Sequence, residues 1–234
     1  MSLLISNLSF KRKKEANLLE DINLAVDSGN LIIIQGESGC GKTTLLNIIA
    51  GLIKPIKGLV KLNDEVLNSQ EKFTPPEERN IGYVFQDYAL FPHLTALKNA
   101  NYAYKNNSPQ LTEEYVLESL NLVNHKNKYP YELSGGQQQR VAIARAILMQ
   151  PDALIMDEPF SGLDKENIIN TQQLLSDAIK ILNIPAVMVT HSLEHIDKMH
   201  CKEIIKFKLI YLLPLKSLQF GCIAQSSSFF QESV

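Results

Sequence analysis

The chain has 234 residues, 45% of them apolar and 21% charged, with a formal net charge of −2. That length supports one substantial domain with a buried core, and the balance excludes general disorder. The near-neutral charge excludes the global basic field of a nucleic-acid binder. Three widely spaced cysteines, Cys40, Cys201 and Cys222, form no metal-site spacing and suit a reducing compartment.

In chain order, MSLLISNLSF lacks the basic start and long apolar core of a signal peptide and reads from Leu3 as an edge strand. The basic run at 11–14 is a solvated turn, and LEDINLAVDSGN a second strand ending in a turn. LIIIQ, continuously apolar and β-branched, predicts a strand buried on both faces. KTTLLNIIAGL has helical spacing and stops at Gly51, while LVKLNDEVL and NIGYVFQ read as further strands. From about 87 to 150 the pattern is helical: TALKNANYAY, LTEEYVLESLNLV and GGQQQRVAIARAILMQ. Two short buried strands follow, ALIMDE and AVMVT, separated by the helix NIINTQQLLSDAIKIL. The alternation predicts an α/β fold with an inserted helical block. The late stretch LIYLLPL contains Pro214 and is far short of the roughly 20 apolar residues that cross a bilayer. A soluble chain is expected, acting on a membrane only through a partner.

Between LIIIQ and the helix, Gly36-x-x-x-x-Gly41-Lys42-Thr43 matches G-x-x-x-x-G-K-[ST]. Glycines let backbone N–H groups wrap phosphate oxygens, and the following helix aims its positive end at them. Gly36, Glu37, Ser38, Gly39, Cys40, Gly41, Lys42, Thr43 and Thr44 are therefore candidate nucleotide-binding residues. Lys42 adds charge near the β- and γ-phosphates, and Thr43 offers its hydroxyl to Mg²⁺. Cys40 is a small loop residue at a reactive place, not a catalytic nucleophile.

ALIMDEP ends a buried strand with Asp157 and Glu158. Beside a phosphate loop, Asp157 can hold Mg²⁺ through water, and Glu158 can polarise the water that attacks the γ-phosphate. Without that loop the pair would read equally well as a strand end bonded to nearby amides.

These strings together resemble the ATP-binding subunits of ABC transporters. LSGGQQQR at 133–140 resembles their signature, YVFQD supplies Gln86 of the glutamine loop, and SGLD at 161–164 the loop after the catalytic carboxylate. His191, after AVMVT, matches the switch histidine. The ordered set spans about residues 3–197. Ser134, Gly135 and Gly136 open a helix and offer a second anion-binding start, with Gln137 following. The resemblance implies a P-loop NTPase core, namely a mixed sheet flanked by helices, an N-terminal antiparallel β region and an inserted helical subdomain. It implies that each ATP lies between one subunit's phosphate loop and the other's signature, hence a homodimer. It also implies roles: Glu158 as general base, His191 holding the γ-phosphate and water, Gln86 reaching Mg²⁺ and water, and Asp164 signalling across the dimer. The segment 75–100 resembles importers of iron, molybdate, sulfate, polyamines or sugars. There, DYALFPHLT would dock a helix of an integral-membrane permease, with a solute-binding protein acting indirectly. The expected place is cytoplasmic, on the inner face of the cell membrane.

Two features depart from the family pattern. Its adenine-stacking aromatic falls near positions 10–13, where Phe10 is early and Arg12 or Lys13 takes the place; arginine can also stack on a base. A cassette over about 1–200 then gives way to a tail at 201–234 that lacks the family's glycine turn, strand and short helix. Rival readings are an ABC-type ATPase acting without a permease in repair or translation, and a catalytically inactive cassette. HSLEH also matches the H-x-x-E-H zinc motif, with His191 and His195 as ligands and Glu194 as base.

Overall fold

The computed structural model describes residues 2–11, 17–191, 201–212 and 219–227. Strands β1 (Ser2–Lys11), β2 (Asn17–Asp27), β4 (Lys57–Leu62) and β5 (Glu65–Asn68) form an antiparallel sheet in the order β2-β1-β4-β5. A second sheet takes β3 (Leu31–Gly36), β6 (Ile81–Val84), β7 (Ala153–Asp157), β8 (Ala186–Thr190), β9 (Glu203–Leu212) and β10 (Gln219–Ser227). Its order is β10-β9-β3-β8-β7-β6, parallel throughout except for β10.

The central strands are continuously apolar because both faces are covered. Along β3, Leu31 and Ile33 enter a core with helices α4 (Gly135–Leu148) and α5 (Lys165–Leu182). Ile32 and Ile34 enter the opposite core, with β1, β2 and helix α1 (Lys42–Ala50). The period-2 alternation thus sends successive isoleucines to different layers.

Helix starts follow their caps. Thr95 opens α2 (Ala96–Ala100), Thr112 opens α3 (Glu113–Ser119), and Asp164 opens α5, each accepting a backbone N–H three residues on. Such a cap stabilises by roughly 1 kcal/mol. Helix α1 ends at Gly51 (φ 83°), whose left-handed backbone returns its N–H towards Asn47 and Ile48.

Three expectations change. LVKLNDEVL is two strands, not one: the chain turns at Asn63, which adopts φ 56°. The helix expected over TALKNANYAY stops at Ala100, where Asn101 caps it and bonds Glu113 instead of continuing. Beyond residue 201 the chain joins the main sheet: β9 pairs in parallel with β3, and β10 runs back along β9. EIIKFKLIYL is rich in β-branched and aromatic residues, which favours a strand even without a glycine turn after it.

Candidate functional site

The loop between β3 and α1 is shaped by close approach. A Cβ at Gly36 would lie 2.6 Å from the Phe207 carbonyl oxygen and 2.7 Å from Cys40 Sγ. Gly41, at φ 97°, is the N-cap of α1 and would meet Leu19 at 2.7 Å. Both positions therefore demand glycine. Lys42, only 8% exposed, donates through Nζ to the carbonyls of Gly36 at 2.6 Å and Glu37 at 2.9 Å, so the ammonium closes the loop. Cys40 is fully buried beneath it, Thr44 is buried, and Glu37, Ser38, Gly39 and Thr43 are exposed.

Across from the loop, Asp157 ends β7 with 3% exposure and accepts a 2.6 Å hydrogen bond from Thr43 Oγ1. Burial pushes its carboxyl above the ordinary carboxylate range, Glu158 adds to that, and Thr43 and Lys42 oppose it. One buried carboxylate beside a hydroxyl is an oxygen donor pair suited to Mg²⁺, which keeps water and phosphate oxygens as its other ligands. Glu158 stands in the left-handed region at φ 50° and donates its N–H to Val189 O at 3.0 Å. Its Oε1 lies 2.8 Å from His191 Nδ1, and its Oε2 accepts from Thr190 Oγ1 at 3.0 Å. Gln86 follows β6 and joins these groups around a cleft of about 400 Å³, whose lining includes Ser38, Gly39, Gly41, Lys42, Thr43, Thr44, Asp157, Glu158 and His191. Leu18 completes the wall.

The signature residues lie elsewhere. Ser134 caps α4, its hydroxyl accepting from Gln137 N–H, while the Gln137 side chain accepts from Ser134 N–H. Gln137 also meets His125 at 3.2 Å. A Cβ on Gly136 would stand 2.7 Å from the Gly162 carbonyl, so this turn packs tightly on the loop at 161–164. Ser134, Gly135, Gly136 and Gln137 are not in the wall of the 400 Å³ cleft.

Some contacts were outside sequence reasoning. Thr190 emerges as a partner of Glu158; the signal was a hydroxyl residue directly before His191. Asn167 bonds both Arg140 and Asp164, linking the signature helix to the loop that follows Glu158. Phe10 packs on the core instead of lining the cleft. Arg12, Lys13, Glu194 and His195 lie outside the described residues, and among those described no group of three or more metal-binding side chains gathers.

A buried strand, a glycine turn closed by a lysine, a helix, and an acidic strand end in the same sheet define a P-loop nucleotide-binding domain. A family model described as ABC transporter matches residues 19–161. The molybdenum import ATP-binding protein ModC of Haemophilus influenzae is 44% identical over 188 residues, covering 79% of this chain and 53% of that protein. The Fe(3+) ions import ATP-binding protein FbpC of Fusobacterium nucleatum is 39% identical over 189 residues, 79% of this chain and 50% of that protein. Among solved structures, the dimeric bacterial ABC transporter cassette MJ0796 matches with a TM-score of 0.74 and 33% identity, covering 88% of this chain and 94% of that one. The chain belongs to the ABC transporter family. It spans about half the length of the curated relatives it matches.

Proposed function

We propose that this chain is the ATP-hydrolysing subunit of an importer, working as a homodimer on the inner face of a membrane beneath a permease. The carrying observation is the convergence of Lys42, Thr43, Gln86, Asp157, Glu158 and His191 on one cleft. The loop amides and Lys42 bind and neutralise the triphosphate. Thr43 and Asp157, with Gln86 nearby, would hold Mg²⁺, which would supply charge neutralisation to the triphosphate. Glu158, fixed from both sides by Thr190 and His191, takes the proton of the attacking water at its carboxylate. His191 shares that carboxylate and orients the water.

The dimer is supported by the separation of Ser134–Gly136 from the cleft: one chain's signature turn cannot complete its own site. The neighbouring MJ0796 cassette is described as dimeric. The permease is supported by an apolar groove of about 430 Å³ whose walls include Leu52, Phe85, Phe91, Tyr102 and Met149, the kind of surface on which an amphipathic helix lays its apolar face. Among the described residues no helix is long and apolar enough to cross a membrane. The relatives are named for molybdenum and iron(III) import. The solute is chosen by the permease and its solute-binding protein, and no nucleic acid takes part.

The test is turnover by the purified chain beside Glu158→Gln. The variant should bind Mg-ATP like the parent and hydrolyse it about a thousandfold more slowly, the range of a lost general base. Normal turnover by Glu158→Gln removes Glu158 from its role. A wild type that binds ATP without hydrolysing it supports the inactive-cassette reading instead.

A further inference from the structure

The loop after Gln86 carries two consecutive non-glycine residues in the left-handed region, Tyr88 at φ 66° and Ala89 at φ 45°. Such backbone is unfavourable for residues with a Cβ and persists only where the surroundings over-determine it. One side chain fixes the segment that follows, and another holds the pair directly. Asn99, fully buried, accepts from Phe91 N–H at 2.8 Å and donates to the carbonyls of Phe91, Leu94 and Thr95 at 3.1, 3.0 and 3.2 Å. Arg145, on α4, holds the left-handed pair: Nη1 donates to Ala89 O at 2.7 Å and Nη2 to Tyr88 O at 3.0 Å. Its guanidinium also lies 5.6 Å from the centre of the Phe91 ring. Among the described residues no carboxylate pairs with Arg145, so these carbonyls and the ring are its partners.

Held this way, the Tyr88 hydroxyl stands 3.2 Å from where a Cβ on Gly135 would be, and 4.0 Å from the same point on Gly162. The half-buried phenol thus lies beside the signature turn and near the loop after Glu158. Arg145, Ala89 and Phe91 meanwhile form part of the apolar groove. One guanidinium and one phenol therefore connect the groove wall to the signature turn, without passing through the nucleotide cleft.

We propose that Arg145 is a positioning residue: by holding Tyr88 and Ala89 in their left-handed path, it seats the Tyr88 phenol against Gly135 and Gly162 and sets the shape of the signature surface. The inference rests on the dimeric reading above, because that surface is the one offered to a second copy. A purely structural arginine would support α4 and leave the turn unaffected by local loss of its contacts.

The test uses Arg145→Gln and, since that variant removes a partly buried cation, Tyr88→Ala as an independent break of the same link. Both are made in the Glu158→Gln background, so that ATP is not consumed. Hydrogen exchange of the isolated chain should quicken at 134–137 and 161–164 in both variants, with α1 unchanged. Sedimentation with Mg-ATP should show the dimerisation midpoint raised by about tenfold, the worth of one charge-assisted contact, while binding of a fluorescent ATP analogue stays within about twofold. Unchanged exchange at 134–137 in either variant overturns the proposal. A parent that binds nucleotide but stays monomeric contradicts the dimeric reading alone, and the exchange measurement still judges Arg145.

Discussion

Two glycine turns open two helices in this chain, and they are built differently. Helix α1 begins at Gly41 with no side-chain cap, and the charge nearest its start is the buried ammonium of Lys42, bonded to the loop's own carbonyls. Helix α4 begins at Ser134 with a reciprocal capping box, and its turn is exposed and packed on the loop at 161–164. The first turn faces a cleft that already contains two carboxylates, a histidine and a glutamine. The second lies outside that cleft. Similar local chemistry thus yields most of a site in one place and an isolated turn in the other, and in the proposed dimer a second copy would bring the two together.

Changes confined to one turn should separate the two functions. The largest effect is expected from Lys42→Ala, which should weaken nucleotide binding by about a hundredfold, because it strips a desolvated charge from the phosphate loop. Equilibrium titration with a fluorescent ATP analogue checks it, and unchanged affinity would break the contrast at its stronger end. Gly136→Ala should do the reverse. Its Cβ would sit 2.7 Å from Gly162 O, so the signature turn must shift. Turnover should fall by about tenfold or more through lost dimerisation, with binding by the monomer nearly intact. If Gly136→Ala lowers affinity as Lys42→Ala does, the two turns are one site.

Within the cleft, Thr190→Val removes the hydroxyl that orients Glu158 and should lower kcat by about tenfold with little change in KM, the cost of one hydrogen bond to a charged group. Thr190→Ser should recover most of the loss, and steady-state kinetics on the three proteins decides. The smallest effect concerns stability. Burial raises the Asp157 carboxyl above its ordinary 3.8, so the folded state favours the protonated form. The ionised carboxylate therefore costs stability once pH exceeds the raised value, and the cost fades as pH falls towards 3.8. Asp157→Asn should melt slightly higher than the parent at neutral pH without Mg²⁺, and the gap should close on acidification. A variant that melts lower at neutral pH contradicts this.

What the sequence made legible was local. The spacing of Gly36, Gly41, Lys42 and Thr43 after an apolar run is enough to place a phosphate loop, because strand, turn and helix are contiguous. Asp157 and Glu158 are legible for the same reason, as the end of a buried strand. The Thr190–Glu158 contact is not, since it depends on the β7–β8 register that sets Asp157 opposite Val189. Arg145 and Tyr88 are 57 positions apart, and no periodicity announces that one guanidinium will hold the other's carbonyl. The strand β9 is less legible for another reason: it departs from the family pattern of glycine turn and strand by pairing two long strands, and its β-branched content is the better signal.

The most direct measurement of the central claim is specific ATPase activity of the wild-type chain as a function of its own concentration. If each cleft is completed by the signature turn of a second copy, activity per chain should rise with concentration and level off as dimers fill. Activity per chain that stays constant across a range where sedimentation shows only monomer would mean that one chain suffices, and the account of two half-sites would be wrong.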